Sequence, residues 1–128
     1  MELLRVVVIN EVDGARRNMK NMLTRHGFAI IAEAEDTFSG MQIISVTTPD
    51  LIVIEDATSG WQEIALFAYE NEIAPVLLIV SKEDSVVGFE AASIGITGIV
   101  VRPLTERNLA TLAKHAAMVP LVHRHAVG

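Results

Sequence analysis

The segment PDLIVIED, residues 49–56, decides the fold. Four apolar residues, Leu51 to Ile54, run directly into the carboxylates of Glu55 and Asp56. A continuous apolar run of this length is typical of a central strand in a parallel sheet, which is covered on both faces. Sites in open α/β sheets form at the carboxyl ends of the strands, so the two carboxylates mark the candidate site.

Four other segments rich in apolar and β-branched residues are predicted to be strands, at residues 3–9, 28–34, 76–80 and 98–101. Segments with apolar residues at helical spacing separate these strands, and one more follows the last of them. Five strands alternating with five helices predict a parallel sheet with helices on both faces, built from right-handed crossovers.

The helix boundaries are predicted from capping residues. Asp13 is expected to cap the first helix, and Asp36 or Thr37 the second. The second helix is expected to turn inward its apolar residues Phe38, Met41 and Ile44 or Ile43. The fourth helix is expected to carry Val87, Ala91 and Ile94 and to end at Gly95.

Composition excludes several classes of protein. The 128 residues, 51% of them hydrophobic, suffice for one buried core, expected at residues 1–118 and followed by a tail at 119–128. No apolar run is long enough to cross a bilayer and there is no cysteine, so a soluble cytoplasmic protein without disulfides is expected. A net charge of -6 disfavours binding of this domain to nucleic-acid phosphates. No membrane partner is expected either.

The pattern resembles the receiver domain of two-component response regulators over roughly residues 3–118. The resemblance rests on the polar end of the first strand, PDLIVIE at 49–55, APVLLIVSKED at 74–84 and GITGIVVRPLTERNL at 95–109. It implies a flavodoxin-like, CheY-like three-layer sandwich with strand order 2-1-3-4-5 and five helices. Residues 70–84 are also similar to receivers that precede an RNA-binding antitermination module of the ANTAR class.

The resemblance implies a phosphorylation pocket that has lost its ligands. Receivers pass a phosphoryl group from a phosphohistidine to an aspartate at the end of the third strand, beside a divalent cation held by acidic residues. Glu55 stands at the phosphoacceptor position, and Asp56 follows it on the opposite face of the strand. Asn10 and Glu11 stand at the acidic pair, although the alternative is that they only form the turn into the first helix. We expect no cofactor, or weak Mg²⁺ binding with Glu11 as the candidate ligand.

The resemblance also implies a switch between a hydroxyl and an aromatic residue, and both are missing. Val80 stands at the Ser or Thr position and Ile99 at the aromatic position. Val has no hydroxyl to donate to a phosphoryl oxygen. Ser81 could replace it only if the strand end shifted by one residue, so it is expected to be a loop or cap residue.

Arg102 and Pro103 match a Lys-Pro pair of the family, in which the lysine contacts the phosphoryl group and the bond before proline is usually cis. A guanidinium is a planar fork rather than a compact ammonium, so the exchange is not conservative. We expect Arg102 to form a bidentate ion pair with Glu55.

No other set of residues points to chemistry. His123 and His125 form a His-x-His pair in the tail, which lacks a nearby third ligand and is expected to be solvated. There is no Gly-rich phosphate loop or nucleophile triad, so no enzyme activity and no catalytic residue is predicted.

The favoured hypothesis is a degenerate receiver that acts through protein interaction or dimerisation without its own phosphorylation. Its partner would be a histidine kinase, another signalling protein or a second copy. The predicted surface is that of the fourth helix, fifth strand and fifth helix, with Glu90, Arg107 and Lys114. The alternatives are a phosphoacceptor that uses Glu11, Asp56 and Arg102, and the regulatory half of an RNA-binding antiterminator.

Overall fold

The structure is a computed structural model that describes residues 2–82 and 94–119. Five parallel strands form one sheet in the order β2-β1-β3-β4-β5. The strands are β1 (Leu4–Ile9), β2 (Phe28–Ala34), β3 (Leu51–Glu55), β4 (Val76–Val80) and β5 (Gly98–Val101). This order is the one predicted and confirms the flavodoxin-like fold. The strand order reverses between β1 and β3, and such a reversal places a crevice at the carboxyl ends of these strands.

Four helices lie within the described residues: α1 (Asp13–Arg25), α2 (Thr37–Thr47), α3 (Trp61–Glu70) and α4 (Glu106–Ala117). The last of these corresponds to the fifth predicted helix. Most of the predicted fourth helix, including Val87 and Ala91, falls on residues 83–93, which lie outside the described residues. In the described ranges, no helix has the length and apolar character needed to span a bilayer.

The sheet separates two hydrophobic cores. Val6 and Val8 of β1 pack with Met19 of α1 and Leu109 of α4, whereas Ile9 packs with residues of α2 and α3 on the opposite face. This alternation follows from the two-residue period of a strand.

The predicted cap of α1 is wrong. The N-cap residue is Val12, without a side-chain cap, and Asp13 is the first helical residue. Its carboxylate pairs with Arg16 at 2.7 Å. The helix begins earlier than predicted because the Asn10 side-chain oxygen accepts a hydrogen bond from Val12 N at 2.9 Å and closes the turn that leads into it.

The predicted orientation of Phe38 is also wrong. Asp36 caps α2 through Ser39 N, as expected, but Phe38 is 72% exposed. The helix instead turns Gly40 and Ile44 toward the sheet. A Cβ at Gly40 would lie 3.0 Å from Ile9 Cδ1, so the close approach at this glycine sets the rotation of the helix and leaves Phe38 on its outer side.

Candidate functional site

Three side chains meet at the carboxyl ends of three strands. Asn10 follows β1, Glu55 ends β3, and Arg102 follows β5. Asn10 is 1% exposed and Glu55 is 6% exposed, which makes them two of the few buried polar residues in the described chain. Buried polar groups of this kind require partners, and these three residues supply them to each other.

Every oxygen of the Glu55 carboxylate is engaged. Arg102 Nε donates to Oε2 at 2.6 Å and Arg102 Nη2 donates to Oε1 at 2.7 Å, which is the predicted bidentate pair. Asn10 Nδ2 also donates to Oε1, at 2.6 Å. The hydrogen bond to Glu55 raises the pKa of Arg102 above its ordinary value, so the guanidinium keeps its charge. The result is a closed, charge-balanced pocket.

A second layer of contacts holds Asn10, and the sequence prediction missed it. Arg16 Nη1 donates to the Asn10 backbone oxygen at 2.7 Å, while Arg16 Nε donates to Glu33 at 2.8 Å. Lys20 also pairs with Glu33, and the hydrogen bonds from Lys20 and Arg16 lower the pKa of the Glu33 carboxyl. Because Glu33 lies on β2, 17 residues after Arg16, helical spacing alone could not predict this contact.

Asp56 contacts a different set of groups from Glu55. Its carboxylate accepts hydrogen bonds from Ser81 Oγ at 2.8 Å and from Ser81 N at 3.2 Å. Ser81 lies in the loop after β4, as expected, but its contact with Asp56 was not predicted. Val80 is 3% exposed and packs in the core on the α2 and α3 side of the sheet. Among the described residues, Ser81 is therefore the only one whose hydroxyl donates a hydrogen bond to the carboxylate of Glu55 or Asp56.

The remaining predicted residues lie outside the contacts between Asn10, Glu55 and Arg102. Glu11 is exposed, and its carboxylate accepts a hydrogen bond from Ser59 N at 3.1 Å. Ile99 is half-buried and packs against the core on the α2 and α3 side. The peptide bond between Arg102 and Pro103 is cis, as the family resemblance implied.

The loop after β3 contains one polar group without a partner. The Thr58 hydroxyl is buried and makes no hydrogen bond among the described residues. Sequence reasoning could not find it, because a Thr in a small polar loop is usually solvated.

These residues do not fit a divalent cation. Mg²⁺ needs carboxylate and other oxygen ligands that compete with its water shell. Both Glu55 oxygens face the guanidinium of Arg102, whose charge would repel the ion, and the Asn10 side-chain oxygen already accepts from Val12. In the residues that the structure describes, no group of three or more His, Cys, Asp or Glu side chains could hold a metal.

Comparisons with known proteins agree with this fold. A family model described as the response regulator receiver domain matches residues 6–114. The chemotaxis protein CheY of Pseudomonas aeruginosa is 29% identical over 113 residues, covering 83% of this chain and 90% of the relative. CheY-3 of Vibrio cholerae is 27% identical over 111 residues, covering 83% and 85%. The signal receiver domain of NarL from Mycobacterium tuberculosis superposes with a TM-score of 0.86 at 21% identity, over 91% of this chain and 98% of that one.

Proposed function

Because this chain belongs to the response regulator receiver domains, we propose that it is a degenerate receiver, which acts in two-component signal transduction without being phosphorylated itself. Its output would be protein interaction. The observation that carries the proposal is the bidentate ion pair of the Glu55 carboxylate with Arg102, together with a third hydrogen bond from Asn10.

A phosphoacceptor must present a free oxygen in line with the phosphorus atom. Here both oxygens of Glu55 accept charge-assisted hydrogen bonds of 2.6 to 2.7 Å. Attack would draw electron density from an oxygen that already pairs with the Arg102 guanidinium, and hydrogen bonds to charged groups contribute about 1.5–3 kcal/mol each. The cation that would offset the charge of the incoming phosphoryl group would have to bind beside the Arg102 guanidinium, which repels it. The engagement of both carboxylate oxygens and the repulsion of a cation therefore both disfavour phosphorylation at Glu55.

The surface available for a protein partner lies on β5 and α4. Val101 is 39% exposed, and Arg107 and Lys114 are exposed as well. Glu90, the remaining residue of the predicted surface, lies outside the described residues. This combination suits a partly ionic interface with a histidine kinase or another signalling protein.

A second candidate function is phosphorylation at Asp56. The observation in its favour is the hydrogen bond from the Ser81 hydroxyl, which places an aspartate beside a hydroxyl donor. In this candidate, Arg102 supplies the positive charge and Glu11 the acidic group. Asp56 is half-buried, so a small phosphodonor could reach it.

Intact mass after incubation with Mg²⁺ and acetyl phosphate separates the two candidates. We expect no gain of a phosphoryl group on the natural sequence. The variant N10D/E55D/V80T/R102K restores the residue types that the family resemblance implies, and it is the positive control that we expect to gain one phosphoryl group. A gain on the natural sequence that is lost in Asp56→Asn would overturn the proposal in favour of the second candidate.

A further inference from the structure

Helix α2 carries no charged residue in its 11 positions, Thr37 to Thr47. Its outer face consists of Phe38, Gln42, Ser45 and Val46, all of which are exposed. Phe38 is 72% exposed and Val46 is 79% exposed, the two largest values among its apolar side chains. A helix that is apolar on the inner side and uncharged with large apolar residues on the outer side is usually covered by another surface.

Covering this face would cost little desolvation of polar groups. The Ser45 hydroxyl donates to the Met41 carbonyl at 2.6 Å, so it needs no new partner. Thr47 at the edge of the face donates to Ile43 in the same way, at 2.7 Å. Within the described part of the chain, the Gln42 amide is the polar group of this face that lacks a protein partner. A surface that binds this face should therefore place both a hydrogen-bond donor and a hydrogen-bond acceptor opposite Gln42.

The outer face of α2 has a roughly symmetric sequence of side chains, apolar, amide and apolar. Phe38, Gln42 and Val46 follow at intervals of four residues, so an apolar side chain lies on each side of a central amide. We propose that the outer face of α2 binds a second copy of this chain, with the two α2 helices antiparallel and the two-fold axis near Gln42. Phe38 of one copy then packs against Val46 of the other, and the two Gln42 amides each donate and accept one hydrogen bond.

The charges at the ends of α2 complement each other in this arrangement. Glu35 and Asp36 are exposed at the amino end, while the Arg5 guanidinium lies at the carboxyl end, where it donates to the Thr47 and Thr48 carbonyls at 2.9 and 2.6 Å. Antiparallel packing brings the acidic end of one helix beside Arg5 of the other copy. The Asp50 carboxylate, which accepts from Arg5 N at 2.8 Å, offsets part of this attraction. The chain carries a net charge of -6, so two copies repel each other overall, and an uncharged face is where they can meet.

The size of the face predicts weak association. Phe38 and Val46 together expose roughly 250 Å² of apolar surface. A stable dimer usually buries about 800 Å² on each partner, so the dimer should form only at high protein concentration. The surface of β5 and α4 stays open in this dimer and can still bind the partner proposed above.

Cysteine crosslinking tests the position of the two-fold axis. The chain has no cysteine, so a single introduced thiol reports on its own position. Gln42→Cys should form a disulfide-linked dimer rapidly under mild oxidation, because the two copies of this side chain meet at the axis. Gln62→Cys, which is also an exposed position but on α3, is the matched control and should crosslink at least tenfold more slowly. Equal rates for the two variants would overturn the proposal.

Sedimentation up to about 1 mM protein tests the face without a covalent bond. The natural sequence should show a concentration-dependent dimer, and Phe38→Glu should weaken it by roughly tenfold or more. Met118→Glu removes a side chain that is 76% exposed on another surface and should leave the dimer unchanged. A strictly monomeric chain, or a dimer that Lys114→Glu abolishes and Phe38→Glu does not, would contradict the proposal.

Discussion

Replacing Arg102 by Met tests whether the ion pair holds the pocket closed. The substitution keeps an unbranched apolar side chain but removes the guanidinium and with it both hydrogen bonds to Glu55. Glu55, 6% exposed, is then left with Asn10 as its one hydrogen-bonding side chain. A buried carboxylate without its cation is costly, so the variant should unfold more readily.

The size of the effect follows from the burial of the two partners. Breaking a fully buried ion pair by removing one partner typically costs about 3–5 kcal/mol. The Arg102 side chain is 30% exposed and that of Glu55 is 7% exposed, so water offsets part of this cost. We therefore expect a loss of about 2–3 kcal/mol in the free energy of unfolding, a large share of the roughly 5–15 kcal/mol of a typical domain. Changing Glu55 to Gln in the same chain removes the uncompensated charge and should recover much of the loss.

Urea denaturation at pH 7 measures these differences. Arg107→Met is the matched control, because Arg107 is exposed on α4, and it should change the stability by less than about 0.5 kcal/mol. The double variant E55Q/R102M should be more stable than the sum of the single changes predicts, with a coupling of about 2 kcal/mol. If the two Arg→Met variants unfold at the same urea concentration, the ion pair contributes nothing and the reasoning is refuted.

Three further predictions concern the surroundings of the pocket. Thr58→Val should increase the free energy of unfolding by about 1 kcal/mol and raise the thermal midpoint, because it removes the unpartnered buried hydroxyl. A lower midpoint would show that the hydroxyl has a partner. Arg5→Met should destabilise the chain by about 1 kcal/mol in urea, since the guanidinium caps the carboxyl end of α2, and an unchanged midpoint would contradict this role. Lys20 and Arg16 hold the pKa of Glu33 below its ordinary value of 4.5, so the stability that this carboxylate contributes is present at neutral pH and is lost as the pH falls through the lowered pKa. Glu33→Gln should therefore show a smaller loss of stability than the natural sequence between pH 7 and about pH 3, and equal losses would argue against the network.

The strands could be predicted from the sequence because their apolar runs have few alternatives. Residues 51–54 have no polar side chain, and neither do residues 76–80, so both segments must be buried on two faces. The ion pair could also be predicted, since it joins two positions that the family resemblance places in one pocket. The residue types alone suffice for the strands, whereas the ion pair also requires the family resemblance.

The rotation of α2 and the partner of Asp56 could not be predicted in the same way. The helix is apolar on most sides, so periodicity does not distinguish Phe38 from Ile44, and the close approach at Gly40 decides between them only in the folded chain. The contact of Ser81 with Asp56 depends on the path of the loop after β4. Loop paths are set by tertiary contacts rather than by local pattern.

The most direct test of the closed pocket is the nitrogen-15 NMR signal of the Arg102 Nε–H group. This group donates to Glu55 at 2.6 Å, so it should give a signal protected from solvent exchange that disappears in Glu55→Gln. If the pocket is closed, the signal keeps its position and protection when Mg²⁺ and beryllofluoride are added. A signal that shifts or exchanges rapidly on that addition would mean that the pocket opens to accept a phosphoryl group, which contradicts the account.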